Sequence, residues 1–330
     1  MEEPFDDLII SKHIGKNMYL SFKKGIPTKY ATKIINKQIF IEEPKSKEYF
    51  DNEITILKDI HHQNVENVIE IKESPEKIYL VTEYYNGGNL DDYLQSYIEK
   101  NNKPFSEEIV QYIMRQIFDA MKYLHNKRII HRKLCLHNIM INYEDENDRI
   151  NENILKAKII IVDFGFAKYL KKGELTRTTL GIPLNMDPIL LNKLKKEEGS
   201  EDAAYDEKVD IWSLGTIFYE LLVGHSAFDS DNMEELLNKV NKGEYFIPLT
   251  LSKEAISFLN YMLQHNPKKR LSVEKLINHK FLKKNVKEFS KININELKDL
   301  KLIDNSTIKI NTENNELIFV FFGSGIESNV

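Results

Sequence analysis

The sequence predicts an α+β fold with two lobes, a small strand-rich lobe followed by a larger helical one. The first third of the chain holds short apolar or alternating runs separated by Gly, Pro, Lys and Asn, a pattern typical of strands. After Gly87 and Gly88 the apolar residues recur at helical spacing over long segments instead. With 330 residues, the chain is long enough for two lobes and a sizeable core.

The first lobe is predicted to contain strands and one helix. The predicted strands are Leu8–Ile14, Lys29–Ile35, Val68–Lys72 and Ile78–Glu83. Apolar side chains return at helical spacing over Lys47–Ile60, which predicts the helix.

The second lobe is predicted to consist mainly of helices. Ser106–Lys127 has one apolar stripe, and Ser106 is placed to cap the N-terminus of that helix. Val209–Gly224 is apolar on nearly all sides, which indicates a helix buried at the centre of a domain. The other predicted helices are Met233–Lys242, Glu254–Gln264 and Ser272–Asn278.

Two charged segments and the tail differ in character from these elements. Tyr143–Ala157 and Asn192–Tyr205 are expected to be surface insertions. The tail from Lys284 predicts a short helix around Ile294–Leu302 and then a hairpin, whose apolar second strand would aggregate if it were exposed. We therefore expect the hairpin to pack on another surface. Its predicted strands are Thr307–Asn311 and Glu316–Phe322.

Composition and charge exclude several classes of protein. The 46 Lys and Arg residues against 51 Asp and Glu residues give a formal charge of −5, which argues against a general nucleic-acid binder. A single cysteine, Cys135, cannot form an internal disulfide. The acidic N-terminus predicts no secretory signal, and no window is apolar enough for a membrane span. A cytoplasmic location is the resulting expectation.

The sharpest motif is Asp163-Phe164-Gly165, which directly follows an apolar run. The segment His131–Asn138 precedes it by about the length of a strand pair and an insertion. Protein kinases carry H-R-D-L-x-x-x-N and then D-F-G in this order, so the chain resembles the eukaryotic protein kinases. Further segments that resemble the family are Tyr30–Lys33, Glu53, Leu80–Gly88, Val209–Gly215, Asn266–Arg270 and His279–Leu282.

This resemblance covers roughly residues 8–283 and implies the bilobal fold of the protein kinases. It implies an N-lobe over 1–85, a C-lobe over 86–283 and a C-terminal extension over 284–330. The chain is serine/threonine kinase-like, and Asp163–Leu170 is most similar to the Unc-51-like autophagy kinases.

The resemblance also implies ATP and Mg²⁺ as cofactors. Lys33, oriented by Glu53, would hold the α- and β-phosphates, while Asp163 and Asn138 would each bind a Mg²⁺ ion. The other candidates for nucleotide binding are Gly15, Ala31, Thr82, Glu83, Tyr85 and Met140. The candidates for the catalytic machinery are Arg132, Lys133, Asn138 and Asp163.

The catalytic loop and the glycine-rich loop depart from the family pattern. Lys133 stands where the family carries the Asp that accepts or orients the hydroxyl proton, and an ammonium group cannot readily take that role. Cys135 stands where many Ser/Thr kinases carry a lysine, so a positive charge has in effect moved by two residues. Lys133 would then neutralise a phosphate, or would merely point to solvent. Only Gly15 of the glycine-rich loop remains in place, and the loop is expected to be short.

The segment that follows the activation segment departs as well. The family's A-P-E triplet is Asp187-Pro188-Ile189 here, so Arg270 needs a partner other than the family's Glu if it is buried. Ile182 replaces the Thr that helps the family to seat the substrate hydroxyl.

Two functions stay open at this point. The first is a pseudokinase that binds nucleotide and works on protein partners as a regulatory or scaffold module, with no nucleic acid and no membrane span. The second is a weakly active Ser/Thr kinase, since phosphoryl transfer depends mainly on positioning and electrostatics. Thr176, Thr178 and Thr179 are either phosphorylation sites or plain loop residues.

Overall fold

The computed structural model describes residues 5, 7–170, 183–194, 205–230, 232–243 and 245–290, and the backbone of 306–311 and 316–321. The chain forms two compact units. The first combines Met1–Gly88 with Met140–Lys168, and the second combines Asn89–Ile139 with the chain from Tyr169 onward. Strands dominate the first unit and helices dominate the second, which confirms the predicted α+β class.

The elements are numbered in chain order. The strands are β1 (Leu8–Gly15), β2 (Met18–Lys23), β3 (Ile26–Asn36), β4 (Val68–Glu73), β5 (Lys77–Glu83), β6 (Ile129–Ile130), β7 (Ile139–Asn142), β8 (Lys158–Ile161), β9 (Lys168–Tyr169), β10 (Tyr245–Pro248), β11 (Ser306–Asn311) and β12 (Glu316–Phe321). The helices are α1 (Ile39–Glu42), α2 (Pro44–Asp59), α3 (Leu90–Asn101), α4 (Glu107–Asn126), α5 (Glu146–Ile150), α6 (Pro188–Leu194), α7 (Lys208–Val223), α8 (Met233–Lys242), α9 (Lys253–Met262), α10 (Val273–Leu276) and α11 (Lys280–Lys283).

A five-stranded antiparallel sheet forms the centre of the first unit, in the order β1-β2-β3-β5-β4. In its register, Lys33 lies opposite Leu80 and Ala31 lies opposite Thr82. Because side chains two residues apart along a strand share a face, these four residues lie on the same face of the sheet. A core cluster of the sheet consists of Leu8, Tyr79 and Val81, with Phe5, Ile10, Tyr30 and Ile34 packed against it.

The pair of strands β7 and β8 belongs to the first unit although it lies far along the chain. The amide of Ile161 donates to the carbonyl of Asn64 (2.9 Å), and the amide of Gly87 donates to the carbonyl of Ile141 (2.9 Å). A Cβ on Gly87 would lie 2.7 Å from the Ile141 side chain, so glycine permits this close approach. The first unit is therefore discontinuous in sequence, whereas the predicted N-lobe over 1–85 is continuous.

Helix α7 is the most deeply buried helix in the described part of the second unit. Its residues from Val209 to Tyr219 are all buried, as its uniformly apolar sequence predicts. The helix ends at Gly224, whose φ of 90° is a left-handed conformation that glycine adopts without a Cβ penalty. At the start of α4, the Ser106 hydroxyl accepts a hydrogen bond from the Ile109 amide, which confirms the predicted cap.

The tail contributes two strands to the second unit. Strands β11 and β12 pair with each other, and β12 also pairs antiparallel with β10. In that register Tyr245 lies opposite Phe319 and Pro248 lies opposite Glu316. The hairpin thus extends a short strand of the helical unit. The predicted helix at 294–302 lies outside the described residues.

Some elements differ from the sequence-based expectations. Strand β2 and helix α3 are not among the predicted elements, and the helix predicted over Ser272–Asn278 is only the four-residue α10. The expected insertion at Tyr143–Ala157 includes the exposed helix α5, and it is anchored by the buried side chains of Tyr143 and Ile154. Among the described residues no helix is both long and apolar enough to cross a lipid bilayer.

Candidate functional site

An ion pair between Lys33 and Glu53 joins β3 to α2 in the first unit. The Lys33 Nζ atom lies 3.1 Å from Glu53 Oε1 and 3.2 Å from Oε2. Glu53 belongs to the buried face of α2, beside Ile56 and Leu57, and its side chain is 5% exposed. Burial alone would lower the pKa of the Lys33 amine, but the charges of Glu53 and Asp163 outweigh it and raise the pKa. Lys33 is therefore a fixed cation.

The Asp163-Phe164-Gly165 turn follows β8 and holds its aspartate in an uncommon backbone conformation. Asp163 has a φ of 67°, in the left-handed region. Its amide donates to Glu66 Oε2 (3.1 Å), and its Oδ1 atom accepts a hydrogen bond from the Gly165 amide (3.4 Å). Phe164 is fully buried. These contacts fix the turn from both the backbone and the side chain of Asp163.

Glu66 is a part of this site that sequence reasoning missed. Burial, followed by the charge of Glu53, raises the pKa of its carboxyl to about 7, although the hydrogen bond from the Asp163 amide opposes the shift. The signal in the sequence is a carboxylate inside the run Asn64–Val68, between Val65 and Val68. That signal is weak, because an isolated Glu is far more often a solvated charge.

The candidates for the adenine end of a nucleotide pocket lie on β3, β5 and the segment that follows β5. Ala31 and Thr82 are buried opposite each other, and the Thr82 hydroxyl donates to the Ala31 carbonyl at 3.4 Å. Glu83 is exposed, and its amide donates to the carbonyl of Asn67 (3.3 Å). Tyr85 is buried, and its hydroxyl accepts a hydrogen bond from the Asn67 amide (3.4 Å).

Gly15 and Met140 complete the predicted nucleotide set, and both are half-buried. Gly15 ends β1, and β2 begins at Met18, so only Lys16 and Asn17 form the turn between the two strands. Asn17 has a φ of 57°, as such a tight turn requires. The glycine-rich loop is therefore as short as predicted.

The catalytic loop in the second unit is held by a buried aspartate of α7. Asp210 Oδ2 accepts from the His131 amide and Oδ1 accepts from the Arg132 amide, both at 2.9 Å. Burial would raise the pKa of the Asp210 carboxyl, but its hydrogen bond with His125 holds the pKa below the usual value. Arg132 has a φ of 65°, and its guanidinium donates to the hydroxyl of Tyr205 (3.3 Å).

Lys133 and Asn138 are brought together by the backbone of this loop. The Asn138 side-chain amide donates to the Lys133 carbonyl (2.9 Å), which leaves the Asn138 oxygen as the atom for another ligand. The Lys133 side chain is half-buried. Cys135 is 4% exposed, and burial raises the pKa of its thiol to about 11. The single cysteine therefore behaves as a small buried hydrophobe.

The buried Arg270 takes Asp187 as its partner in place of the family's Glu. The guanidinium forms an ion pair with Asp187 Oδ2, and both side chains are fully buried. Arg270 also donates to the carbonyls of Gln264 (2.6 Å) and Lys208 (2.8 Å). The other Asp187 oxygen accepts from the Ile189 amide at the start of α6 (2.7 Å). The carboxylate has thus moved by two residues along the chain.

The predicted site residues fall into two sets. Lys33, Glu53 and Asp163 are brought together in the first unit, and Arg132, Lys133 and Asn138 are brought together in the second. The three threonines of the activation segment lie outside the described residues, as does Ile182.

Two of these residues fit a magnesium ion by their chemistry. The ion prefers hard oxygen ligands and commonly takes one or two carboxylates from the protein. Asp163 offers a carboxylate whose backbone is fixed, and Asn138 offers an amide oxygen whose NH₂ group is already engaged. Each donor, considered within its own unit, therefore offers an oxygen of the kind that Mg²⁺ prefers.

Comparisons with known proteins agree with these motifs. A family model described as the protein kinase domain matches residues 11–282. The chain is 31% identical over 287 residues to the serine/threonine-protein kinase atg1 of Dictyostelium discoideum, which covers 84% of this chain and 40% of that protein. It is 34% identical over 256 residues to the serine/threonine-protein kinase ULK1 of Homo sapiens, with 76% and 22% covered.

A third relative is the calcium-dependent protein kinase 5 of Plasmodium berghei (strain Anka), which is 34% identical over 299 residues, with 88% of this chain and 48% of that protein covered. The chain spans less than half the length of each of these three relatives. The similarity to atg1 and ULK1 agrees with the resemblance to the Unc-51-like kinases. Because the family model matches most of the residues, the chain belongs to the protein kinase family.

Proposed function

We propose that this chain is a pseudokinase, a protein-kinase domain that binds ATP with Mg²⁺ but has lost efficient phosphoryl transfer. The observation that carries the proposal is the catalytic loop. Asp210 and Asn138 hold the backbone of this loop in place, yet Lys133 supplies an ammonium group where the family carries a carboxylate. A cationic side chain cannot accept the proton of a substrate hydroxyl, so the loop keeps its shape and loses its base.

The nucleotide-binding half of the proposal is supported by the first unit. Lys33 is fixed by Glu53, so its ammonium group is available as a point charge for the α- and β-phosphates. Asp163 would bind one Mg²⁺ ion and Asn138 a second, and Mg²⁺ when bound neutralises charge on the phosphate oxygens. Ala31 and Thr82 are buried opposite each other, so Thr82 would line the back wall of the adenine pocket, and Glu83 and Tyr85 would present backbone groups to the adenine.

Binding without efficient transfer gives the nucleotide a conformational role. A ligand that binds only the folded chain stabilises it by mass action and favours one conformation of the protein. We infer a regulatory or scaffold module that acts on protein partners in the cytoplasm, with no role for nucleic acid.

The second candidate function is that of a weakly active serine/threonine kinase. It is favoured by the intact Lys33–Glu53 ion pair and by the names of the relatives, which are serine/threonine kinases. Phosphoryl transfer depends mainly on positioning and charge neutralisation, so loss of the base alone leaves room for slow transfer.

One set of measurements separates the two functions. Thermal unfolding of the purified chain is followed with ATP in the presence of Mg²⁺ or EDTA, beside a radiolabelled transfer assay on a protein substrate. We expect a rise in the melting temperature with Mg-ATP and no transfer by the natural sequence. Absence of any shift would contradict nucleotide binding. Transfer that Asp163→Ala abolishes would instead establish the weak kinase, and Lys133→Asp shows whether the missing carboxylate restores transfer.

The role of Lys133 has its own test. If its ammonium group neutralises a phosphate, Lys133→Ala lowers the affinity for Mg-ATP by about threefold to tenfold, because an exposed charge contact contributes roughly 1 kcal/mol. Lys122→Ala, at an exposed position of α4, is the matched control. Equal affinities of the two variants would show that the Lys133 ammonium group does not contribute to nucleotide binding.

A further inference from the structure

Glu66 lies in the first unit, where the loop before β4 is bound to the strand that leads to Asp163. The Glu66 amide donates to the carbonyl of Ile161 (2.8 Å), and the Ile161 amide donates to the carbonyl of Asn64 (2.9 Å). The side-chain amide of Asn64 also donates to the carbonyl of Ile159 (2.8 Å). The backbone is therefore anchored to β8 at Glu66 itself and two residues earlier, at Asn64.

From this anchored position the Glu66 side chain reaches forward along the chain to Asp163. Its Oε2 atom accepts a hydrogen bond from the Asp163 amide at 3.1 Å, between residues 97 positions apart in sequence. A carboxyl oxygen accepts such a hydrogen bond whether or not the group is ionised. The contact therefore constrains the direction of the Asp163 peptide.

Asp163 needs such a constraint because of its own conformation. A left-handed φ of 67° is unfavourable for a residue with a Cβ and persists where the surroundings determine it. The hydrogen bond from the Gly165 amide to Asp163 Oδ1 is long, at 3.4 Å. The hydrogen bond to Glu66 is thus shorter than this one.

We propose that Glu66 is a positioning residue that holds the Asp163 peptide in its left-handed conformation and thereby aims the Asp163 carboxylate at the divalent metal of a bound nucleotide. The proposed role of Glu66 is carried by this hydrogen bond to the Asp163 backbone and needs no contact between Glu66 and the metal. The inference rests on the proposed binding of Mg-ATP. It concerns the Mg²⁺-dependent part of that binding.

Three proteins test the proposal: the natural sequence, Glu66→Gln and Glu66→Leu. Glutamine keeps a hydrogen-bond acceptor at the same distance along the side chain, whereas leucine keeps only the volume. ATP affinity is measured by calorimetry with Mg²⁺ and with EDTA. We expect Glu66→Leu to reduce the gain in affinity from Mg²⁺ about tenfold with little change in EDTA, and Glu66→Gln to stay within about threefold of the natural chain.

Glu73→Leu, at an exposed position of β4, is the control for loss of a carboxylate from this part of the chain. An unchanged Mg²⁺ gain in Glu66→Leu would overturn the inference. A loss of affinity that is equal with Mg²⁺ and with EDTA would also overturn it, because that is the result of a merely structural defect.

A second measurement does not depend on nucleotide. Hydrogen exchange of a peptide that spans Asp163 reports directly on the Asp163 amide, which donates the hydrogen bond to Glu66. We expect exchange in this peptide to be at least tenfold faster in Glu66→Leu than in Glu73→Leu, and close to natural in Glu66→Gln. If the natural chain binds no ATP, the proposed function fails, but this measurement still shows whether Glu66 protects the Asp163 amide. Unchanged exchange in Glu66→Leu would refute the positioning role.

Discussion

The two units differ in how far their charged groups have kept the family's arrangement. In the first unit Lys33 and Glu53 form the family's ion pair, and Asp163 stands in its turn. In the second unit charges have moved. Lys133 stands where the family carries an aspartate, and Cys135 stands where many members carry a lysine. Asp187 is the partner of Arg270, whereas the family's glutamate lies two residues further along the chain.

This difference separates two tasks of a kinase domain. In the family, the residues that match Lys33, Glu53 and Asp163 serve charge binding, which a nucleotide needs whether or not its phosphate is transferred. The moved charges of the second unit lie at positions that, in the family, belong to the catalytic loop and the end of the activation segment. Arg270 keeps a buried carboxylate partner despite the move, whereas Lys133 places an amine side chain where the family carries a carboxylate.

The largest expected effect comes from the buried ion pair of the second unit. Asp187→Ala leaves the fully buried Arg270 without its carboxylate, which we expect to lower the free energy of unfolding by about 3–5 kcal/mol. Urea unfolding measures the loss. Asp229→Ala, at an exposed position, is the control, with an expected change within about 0.5 kcal/mol.

A second substitution tests whether the carboxylate has truly moved. Asp187→Ala combined with Ile189→Glu restores the family's position for the carboxylate, and we expect it to recover part of the lost stability. If Asp187→Ala alone cost less than about 1 kcal/mol, the ion pair would not be the substitute that the structure indicates.

In the first unit the largest expected effect is on binding. Lys33→Met removes the cation for the phosphates and leaves the buried Glu53 without its partner. We expect ATP affinity to fall about 100-fold, which corresponds to ~2.8 kcal/mol. Calorimetry with Mg-ATP measures the change, and Lys58→Met at the exposed end of α2 is the control. A smaller effect than that of Lys133→Ala would reverse the assignment of tasks to the two units.

Much of the fold was predictable because long apolar patterns are local. The buried helix α7 follows from a uniformly apolar run, and α4 follows from one apolar stripe and its Ser106 cap. Helix α3 was missed because only Leu90 and Leu94 are buried among polar residues. The turn between β1 and β2 concealed β2, since the segment was interpreted as a degraded loop.

The candidate site was predictable where the family's motifs survive. Lys33, Glu53 and Asp163 follow from motif order, although their contacts do not. The roles of Asp187 and Glu66 were missed because their partners are distant in sequence. Asp187 pairs with Arg270, 83 residues away, and Glu66 accepts from Asp163, 97 residues away. No local pattern encodes a pairing over such separations. Only the folded chain shows which buried charge meets which donor.

A smaller effect is expected from pH, again in the second unit. Burial raises the pKa of Glu220 on α7 to about 7, although its hydrogen bond from Asn185 opposes the shift. The unfolded chain therefore releases this proton at lower pH than the folded chain, so this group's contribution makes stability fall as pH rises from about 4.5 to about 7.

Glu220→Gln removes that contribution. We expect the variant to be more stable than the natural chain at pH 8 by about 1–2 kcal/mol, with a difference near zero at pH 4.5. Thermal unfolding across this pH range measures it. A difference that is constant with pH would mean that Glu220 does not titrate in this range in the folded chain.

The smallest expected effect concerns the cysteine that replaces the family's lysine in the catalytic loop. Cys135 is buried and its thiol pKa is raised to about 11, so very little thiolate exists at pH 8. We expect iodoacetamide to leave the folded chain unmodified over an hour at pH 8 and to add one group in urea. Because the chain has a single cysteine, the intact mass reports on this site alone. Rapid labelling of the folded chain would contradict the burial of this thiol and would make Cys135 an accessible, reactive group in the catalytic loop of the second unit.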